Sequence, residues 1–311
     1  MLISVCIPCY KSAKTLPVVV ESVTHEFARR PEHELQFVLV NDGSPDDTFQ
    51  VITELAARYD NVTGVDLSRN YGQVSARLAA LNYADGDAVV FMDDDGQHPA
   101  SSIFLLVDKM QEGNYDVVYA HFKNKKTTGF KIVTSNLHNW IAEIMGNKPK
   151  GVHRSSFTIW SRTVVDALKR YHSPFISIGS YLMHVTTRYA DVPVEHNERL
   201  AGSSGYTLKK LLAMWLNIFF SFSMMPLRFA TTVGGAFTVA GFIWGIFLIV
   251  HKLVHPTGPA GYTSLMVLML LIGGLILVSL GIIGEFVGRI YMTISDMPQY
   301  SVRKVVQSSH A

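Results

Sequence analysis

The sequence predicts an α/β protein: a doubly wound, mostly parallel sheet followed by an interfacial helix and two transmembrane helices. Three observations carry this. Strand-like and helix-like stretches alternate from residue 1 to about 200. A basic, tryptophan-containing apolar stretch follows at 207–227. Two later stretches, 229–250 and 264–284, contain no Asp, Glu, Lys or Arg.

The β-rich run LISVCIP leads into a helical TLPVVVESVTHEFARR, and LQFVLVNDGS leads into PDDTFQVITELAARY. VTGVDLS precedes YGQVSARLAALNYA, and AVVFMDDD begins the fourth repeat. Repeated strand–helix units of this kind give a parallel sheet covered on both faces. Ligands bind such sheets beyond the carboxyl ends of the strands. Asp42, Asp66, Asn70 and the run Asp93, Asp94, Asp95 all fall at or just past those ends.

From residue 207 the chemistry changes. Lys209 and Lys210 precede Leu211, Leu212, Trp215, Leu216, Phe219 and Phe220, the pattern of a helix lying in a membrane interface. The two charge-free stretches each approach the roughly 20 residues that span hydrocarbon as a helix. Gly234, Gly235, Gly241 and Gly245 in the first, and Gly273 and Gly274 in the second, permit close helix association, so a homo-oligomer is compatible with the sequence. The connector at 251–263 holds one lysine, whereas Lys209, Lys210, Arg228, Arg289, Arg303 and Lys304 flank the hairpin. That asymmetry places both flanks and the N-terminal domain in the cytoplasm. Glu285 and Arg289, four apart, are expected to pair. The expected organisation is a cytosolic domain at 1–206, an interfacial helix at 207–227, a two-span hairpin at 228–290 and a cytosolic tail at 291–311.

Composition sets outer bounds. A chain of 311 residues holds one sizeable α/β core and something smaller. A net charge of +2 gives no nucleic-acid footprint. The mean hydropathy of +0.21 is high for a soluble enzyme, and the excess sits in the last third. Cys6 and Cys9 are the only cysteines, so a disulfide framework is excluded. Their C-x-x-C spacing lies in the first strand, with no preceding βα unit, and reads as two small apolar residues rather than a redox pair. No charged segment followed by an apolar run opens the sequence, so no secretory signal is expected.

Three successive aspartates after an apolar strand must stay solvated or meet a cation. Asp93 and Asp95 form a D-x-D, and Gln97 adds an oxygen ligand to the same turn. Hard oxygen donors suit Mg²⁺ or Mn²⁺, which leave open positions for phosphate oxygens. A diphosphate leaving group needs such a cation because charge builds on it as its bond breaks. Asp42, at another strand end, can accept from a base N–H or a ribose hydroxyl.

IPCYK, VNDGSPDDT, LSRNYGQVSA and MDDDGQHP resemble, in order and spacing, the family-2 glycosyltransferases of GT-A fold. ERLAGSSGYTLKKL, MPLR and LGIIGEFVGRIYMTISDMPQY are similar to the polyprenyl-phosphate glycosyltransferases within that family. These are the dolichol-phosphate mannose synthase group and the bacterial enzymes that load aminoarabinose or O-antigen glucose onto undecaprenyl phosphate. The resemblance covers nearly the whole chain. It implies a multi-pass enzyme of the bacterial inner membrane that takes a nucleotide sugar, UDP-linked by family habit, and a polyprenyl phosphate lipid.

Carried over by position, the resemblance puts Pro8, Tyr10 and Asp42 at the nucleotide base and Asn70 in a loop near the donor. Asp93, Asp95 and Gln97 match the metal and diphosphate turn, with Asp94 beside the substrate. Lys131 and Ser135 match residues that hold the lipid phosphate, and Arg199 matches an arginine near the phosphates. Lys125, Ser204 and Tyr206 complete the implied substrate contacts. The chain departs from the pattern at three places. Phe122 stands where many relatives have Arg, Val152 where many have an acid, and Gly205 where Lys is usual. The neighbouring His153 and Arg154 offer a substitute phosphate-binding pair.

A lipid phosphate, with a second pKa near about 6, is already a nucleophile at neutral pH. No essential general base is therefore expected, although His98 lies next to the metal turn. Two other readings compete: a processive polysaccharide synthase, and a non-catalytic nucleotide-sugar-binding subunit of a flippase system. The first would carry a Q-x-x-R-W motif, which is absent here. The second would not need Asp93, Asp95 and Gln97 together.

Overall fold

The structure is a computed structural model, and it describes residues 1–122, 151–171, 178–195, 225–254, 261–295 and 298–307. Lys125, Lys131, Ser135, Arg199, Ser204, Gly205 and Tyr206 lie outside the described residues, as does the expected interfacial helix up to residue 224. The chain divides into two compact units, Met1–Tyr206 with Asp296–Ala311, and Thr207–Ser295.

The first unit is built on an eight-stranded sheet. Strands β1 (Leu2–Cys9), β2 (Glu34–Asn41), β3 (Val62–Leu67) and β4 (Ala88–Phe91) are its parallel half, in the order β4-β1-β2-β3. Their side chains alternate between two buried layers. Ile3, Val5 and Ile7 of β1 join Phe37 and Leu39 of β2 on one face. Cys6 joins Val38 and Val40 on the other. Both faces are apolar because both are covered by helices. Helices α1 (Leu16–Ala28), α2 (Thr48–Arg58) and α4 (Ile103–Glu112) bury Val20, Ile52 and Leu106 on the first face. Helices α3 (Gln73–Leu81), α5 (Arg162–Lys169) and α6 (Ile178–Val185) bury Leu81, Val165 and Leu182 on the second. Cys6 and Cys9 are free, fully buried and on opposite faces, as an odd spacing on a strand requires. Burial pushes both thiols up, so neither is a thiolate.

The rest of the sheet adds antiparallel pairings to an order that stays mostly parallel, as expected. Strand β6 (Thr158–Ser161) inserts antiparallel between β4 and β5 (Val117–Phe122), and β7 (Tyr189–Val194) then pairs parallel with β5. At the far edge β8 (Val302–Gln307) runs antiparallel to β3. Residues 291–311, expected as a tail, thus supply the end of a helix and the eighth strand. Arg303 donates to the Ser68 carbonyl at 2.6 Å, and Ser68 N–H donates to the Ser301 carbonyl at 2.9 Å. Charged residues suit this position because an edge strand faces water.

Asp116 locks the antiparallel side. Arg188 forks onto it, from Nε to Oδ2 at 3.0 Å and from Nη2 to Oδ1 at 2.8 Å. Thr186 and Ser161 donate to the same carboxylate at 2.5 and 3.1 Å. The Arg188 guanidinium leads in holding the Asp116 carboxyl below the usual carboxylate range. A lowered folded-state pKa means that this stability is present above the unfolded value, near about 3.9, and is lost as pH falls through the folded value. Asp116→Asn is expected to cost about 2 kcal/mol, discounted for the half-exposed Arg188, and to flatten the acid limb of a melting-temperature profile.

The second unit holds two long helices, α7 (Met225–Val254) and α8 (Tyr262–Ile294). Both expose large apolar side chains, including Phe242, Ile243 and Trp244 on α7 and Met269, Leu277 and Leu280 on α8. Large apolar side chains exposed in this number mark an interaction surface for a membrane or another protein. Among the described residues one stretch, Ile272–Ile294, is long and apolar enough by itself to cross a membrane, and α7 contributes a shorter apolar run, Gly234–Phe247. The anticipated Glu285–Arg289 pair forms at 2.8 Å.

Candidate active site

The carboxyl ends of β1, β2, β3 and β4 meet at one edge, and hydrogen bonds join their loops into a ring around the aspartate turn. From β1, Tyr10 N–H and Ser12 Oγ both donate to Asp94 Oδ2, the former at 3.0 Å. The next link is Lys11 N–H to Ser44 Oγ, 2.8 Å, which reaches the loop after β2. That loop is tied to the one after β3 through Asp42. Its Oδ1 accepts from Tyr71 N–H at 2.7 Å and its Oδ2 from Gly72 N–H at 2.9 Å. The ring closes where Gln73, at the start of α3, donates to Asp93 Oδ1 at 2.6 Å. Gly43 makes the junction between the β2 and β3 loops possible. It sits at φ +57°, and a Cβ there would overlap the backbone of Arg69 and Asn70.

Three adjacent carboxylates coexist because each faces different donors. Asp94 turns inward onto the β1 loop, and burial pushes its carboxyl up against the pull of Ser12 and Tyr10. Asp93 accepts from Gln73 and, at 2.8 Å, from Ser156 Oγ, with the Arg77 guanidinium 3.6 Å away. Arg77 also donates to the Ser156 carbonyl at 2.6 Å and stacks over Phe91. Asp95 Oδ1 accepts from Gln97 N–H at 3.1 Å. The structure therefore brings Asp93, Asp95 and Gln97 together on one partly exposed turn.

The other expected base contacts differ in access. Tyr10 is exposed and Asn70 lies exposed in its loop, whereas Pro8 is buried inside β1. Asp42 is 3 % exposed. Burial raises its pKa, and both of its oxygens already hold the β3 loop. Asp66 accepts from Asn41 Nδ2 at 2.7 Å and has Arg303 of β8 at 3.6 Å. Asn41 in turn accepts from Ser44 N–H at 3.2 Å. These buried polar groups orient the loops rather than open onto solvent.

His98 is held as a structural side chain. Its Nδ1 accepts the Asp93 N–H at 2.9 Å, which fixes the neutral tautomer with its proton on Nε2. Nε2 faces Ser156 Oγ at 3.4 Å and Asp93 Oδ2 at 3.6 Å. The ring is stacked between Phe157 and Phe122, with centroids at 4.9 and 5.7 Å. Phe122, one of the departures, thus covers His98. A base needs a free lone pair, and this tautomer presents none on the Nε2 side. His98→Asn, whose side-chain oxygen can stand where Nδ1 stands, is expected to retain turnover within about tenfold, with His98→Ala lower. Equal and complete loss in both, measured as kcat, would make His98 a base.

His153 and Arg154, offered as a substitute phosphate-binding pair, face different neighbours. His153 Nδ1 lies 2.7 Å from Asp191 Oδ2, and the Arg154 guanidinium packs at Gly179. Val152 packs, half-buried, against the second core layer. Sequence reasoning missed Ser12, Gln73, Arg77 and Ser156. Gln73 lies within RNYGQ and was findable there; Ser156 carries no local signal.

Residues 4–167 match glycosyl transferase family 2, and residues 225–290 match the GtrB C-terminal hairpin. The chain is 32% identical over 307 residues to the undecaprenyl-phosphate 4-deoxy-4-formamido-L-arabinose transferase of Proteus mirabilis (strain HI4320), covering 98% of this chain and 94% of that protein. It is 33% identical over 309 residues to the bactoprenol glucosyl transferase of Shigella phage SfII, covering 98% of each. Among solved structures, glucosyl-3-phosphoglycerate synthase from Mycobacterium tuberculosis shares 18% identity, with a TM-score of 0.47 over 68% of this chain and 74% of that one. With the match running through every loop of the ring around Asp93–Asp95, the chain belongs to glycosyl transferase family 2 and is a glycosyltransferase.

Proposed function

We propose that the chain moves a sugar from a nucleotide sugar to undecaprenyl or another polyprenyl phosphate at the cytoplasmic face of a bacterial inner membrane. The observation that carries this is the aspartate turn, held from all sides at the carboxyl edge of a sheet. End-to-end similarity to transferases named for undecaprenyl phosphate and bactoprenol supports the acceptor.

The donor set fits a hard divalent ion, Mg²⁺ or Mn²⁺, since Asp93, Asp95 and Gln97 offer only oxygen. Such an ion would neutralise charge on the diphosphate leaving group. The remaining chemistry is positional. A lipid phosphate oxygen attacks the anomeric carbon, and the bond from that carbon to the diphosphate breaks. One displacement inverts the configuration. No side chain needs to remove a proton, because the phosphate is already anionic. Tyr10 and Asn70, exposed on the loops after β1 and β3, are available to a nucleoside. Lys131, Ser135 and Arg199 are proposed for the lipid phosphate and the diphosphate, with Lys125, Ser204 and Tyr206 beside them.

The acceptor's tail cannot leave the bilayer, so the domain must work at headgroup height. We read α7 and α8 as two spans, with 207–224 as an interfacial helix. Connectivity supports an even number of crossings. The chain leaves the first unit before α7 and rejoins its sheet as β8, so a single crossing would strand β8 on the wrong side. Membranes containing the protein, incubated with labelled nucleotide sugars and undecaprenyl phosphate, test the reading. Label in an organic-soluble product supports it. Polymer would indicate a synthase, and no product with any donor a non-catalytic subunit.

A further inference from the structure

A second cluster lies outside the ring of loops around the aspartate turn. His121 is near the end of β5, His153 lies in the segment before β6, and Asp191 is on β7. One ligand atom from each lies within 4.8 Å of the other two. His153 Nδ1 is 2.7 Å and His121 Nδ1 is 3.7 Å from Asp191 Oδ2, and the two imidazole rings are 3.9 Å apart. Register explains the meeting. Tyr119 pairs with Asp191 and His121 with Pro193, so His121 and Asp191 sit diagonally on one face of adjacent strands. His153 N–H also donates to Asp191 Oδ2 at 2.9 Å and fixes the third segment in place.

We propose that His121, His153 and Asp191 form a second metal site, selective for a borderline ion such as Zn²⁺. Two imidazoles and one carboxylate are the donor set of three-ligand zinc sites, which keep a fourth position open. The donors contrast with the all-oxygen set of Asp93, Asp95 and Gln97, which suits a harder ion. A metal takes both imidazoles in their neutral form. The open side is available, since the His153 side chain is 60% exposed. Occupancy would brace the 151–157 segment, which also carries Ser156 to Asp93.

The test uses the full-length protein in detergent, free of affinity tag and stripped of metal. Titration with Co²⁺ in excess Mg²⁺ should give one equivalent with visible absorption of nitrogen–oxygen coordination, displaced by Zn²⁺. Asp95→Asn should retain this signal. His153→Gln, an exposed substitution, and Asp191→Asn should each weaken Co²⁺ binding at least about tenfold, with melting temperature in excess Mg²⁺ as the folding check. Three results would overturn the site: no Mg²⁺-resistant absorption, a signal unchanged in both folded variants, or a signal lost only in Asp95→Asn. The first leaves a His153–Asp191 ion pair alone, and the last assigns the ion to the aspartate turn.

Discussion

Asp95→Asn is expected to lower transfer to undecaprenyl phosphate by about 10³-fold, with little change in melting temperature. The carboxylate accepts the Gln97 N–H, and an amide oxygen can keep that bond. What the amide removes is a negative ligand for the divalent ion. Loss of that charge leaves the diphosphate less stabilised as its bond breaks, and a 10³-fold loss corresponds to about 4 kcal/mol of barrier. Raising Mg²⁺ should recover part of the rate, because a weakened ligand set raises the concentration needed for occupancy. Excess chelator should abolish wild-type transfer. Full activity in chelator would remove the metal from the mechanism.

Asp42→Asn is expected to act through the fold as well as the donor. Asp42 accepts two backbone N–H groups from consecutive residues, Tyr71 and Gly72. An amide matches only one of them and turns its own N–H₂ toward the other. A buried N–H left without an acceptor costs about 1–3 kcal/mol, and the loop carrying Asn70 and leading to Gln73 loosens. Nucleotide binding should weaken together with the melting temperature. The pH dependence gives a second signature. Burial raises the Asp42 pKa, so the folded state binds this proton more tightly than the unfolded chain. Its contribution to stability is therefore present below the unfolded value and declines as pH rises through the folded value. The variant should lack that decline, the opposite sense to Asp116. A variant as stable as wild type, with unchanged nucleotide affinity, would show that Asp42 does not hold the loop.

The parallel half of the sheet was legible because β1, β2 and β4 are continuous apolar runs that end in turn residues. The acidic edge followed from the rule that ligands gather at strand carboxyl ends. The strands added at the two ends of the sheet were not legible. Strand β6 is four residues long, β7 contains Pro193, and β8 carries two adjacent cations, Arg303 and Lys304, among its valines. Each is too short or too polar to stand out from a loop, and each is fixed by its neighbours. The division of labour within the site was also hidden. Asp93, Asp94 and Asp95 are identical letters, and only the direction of nearby N–H and hydroxyl donors separates an inward-facing brace from a prospective ligand. That no base is needed followed from the acceptor's charge, but the structural role of His98, whose Nδ1 accepts the Asp93 N–H, was not legible. The pairing of His121 and His153 with Asp191 depends on strand register that no local pattern encodes.

The seating of β8 against β3 has a consequence for biosynthesis. The ribosome completes β1 to β7 first, then both long apolar helices, and only afterwards the strand that covers β3. A nascent chain that ends within either long helix therefore carries an uncapped sheet border beside Asp66, whose Arg303 neighbour has yet to emerge. A fragment cut ahead of the two long helices would keep the aspartate turn while remaining prone to edge-on self-association.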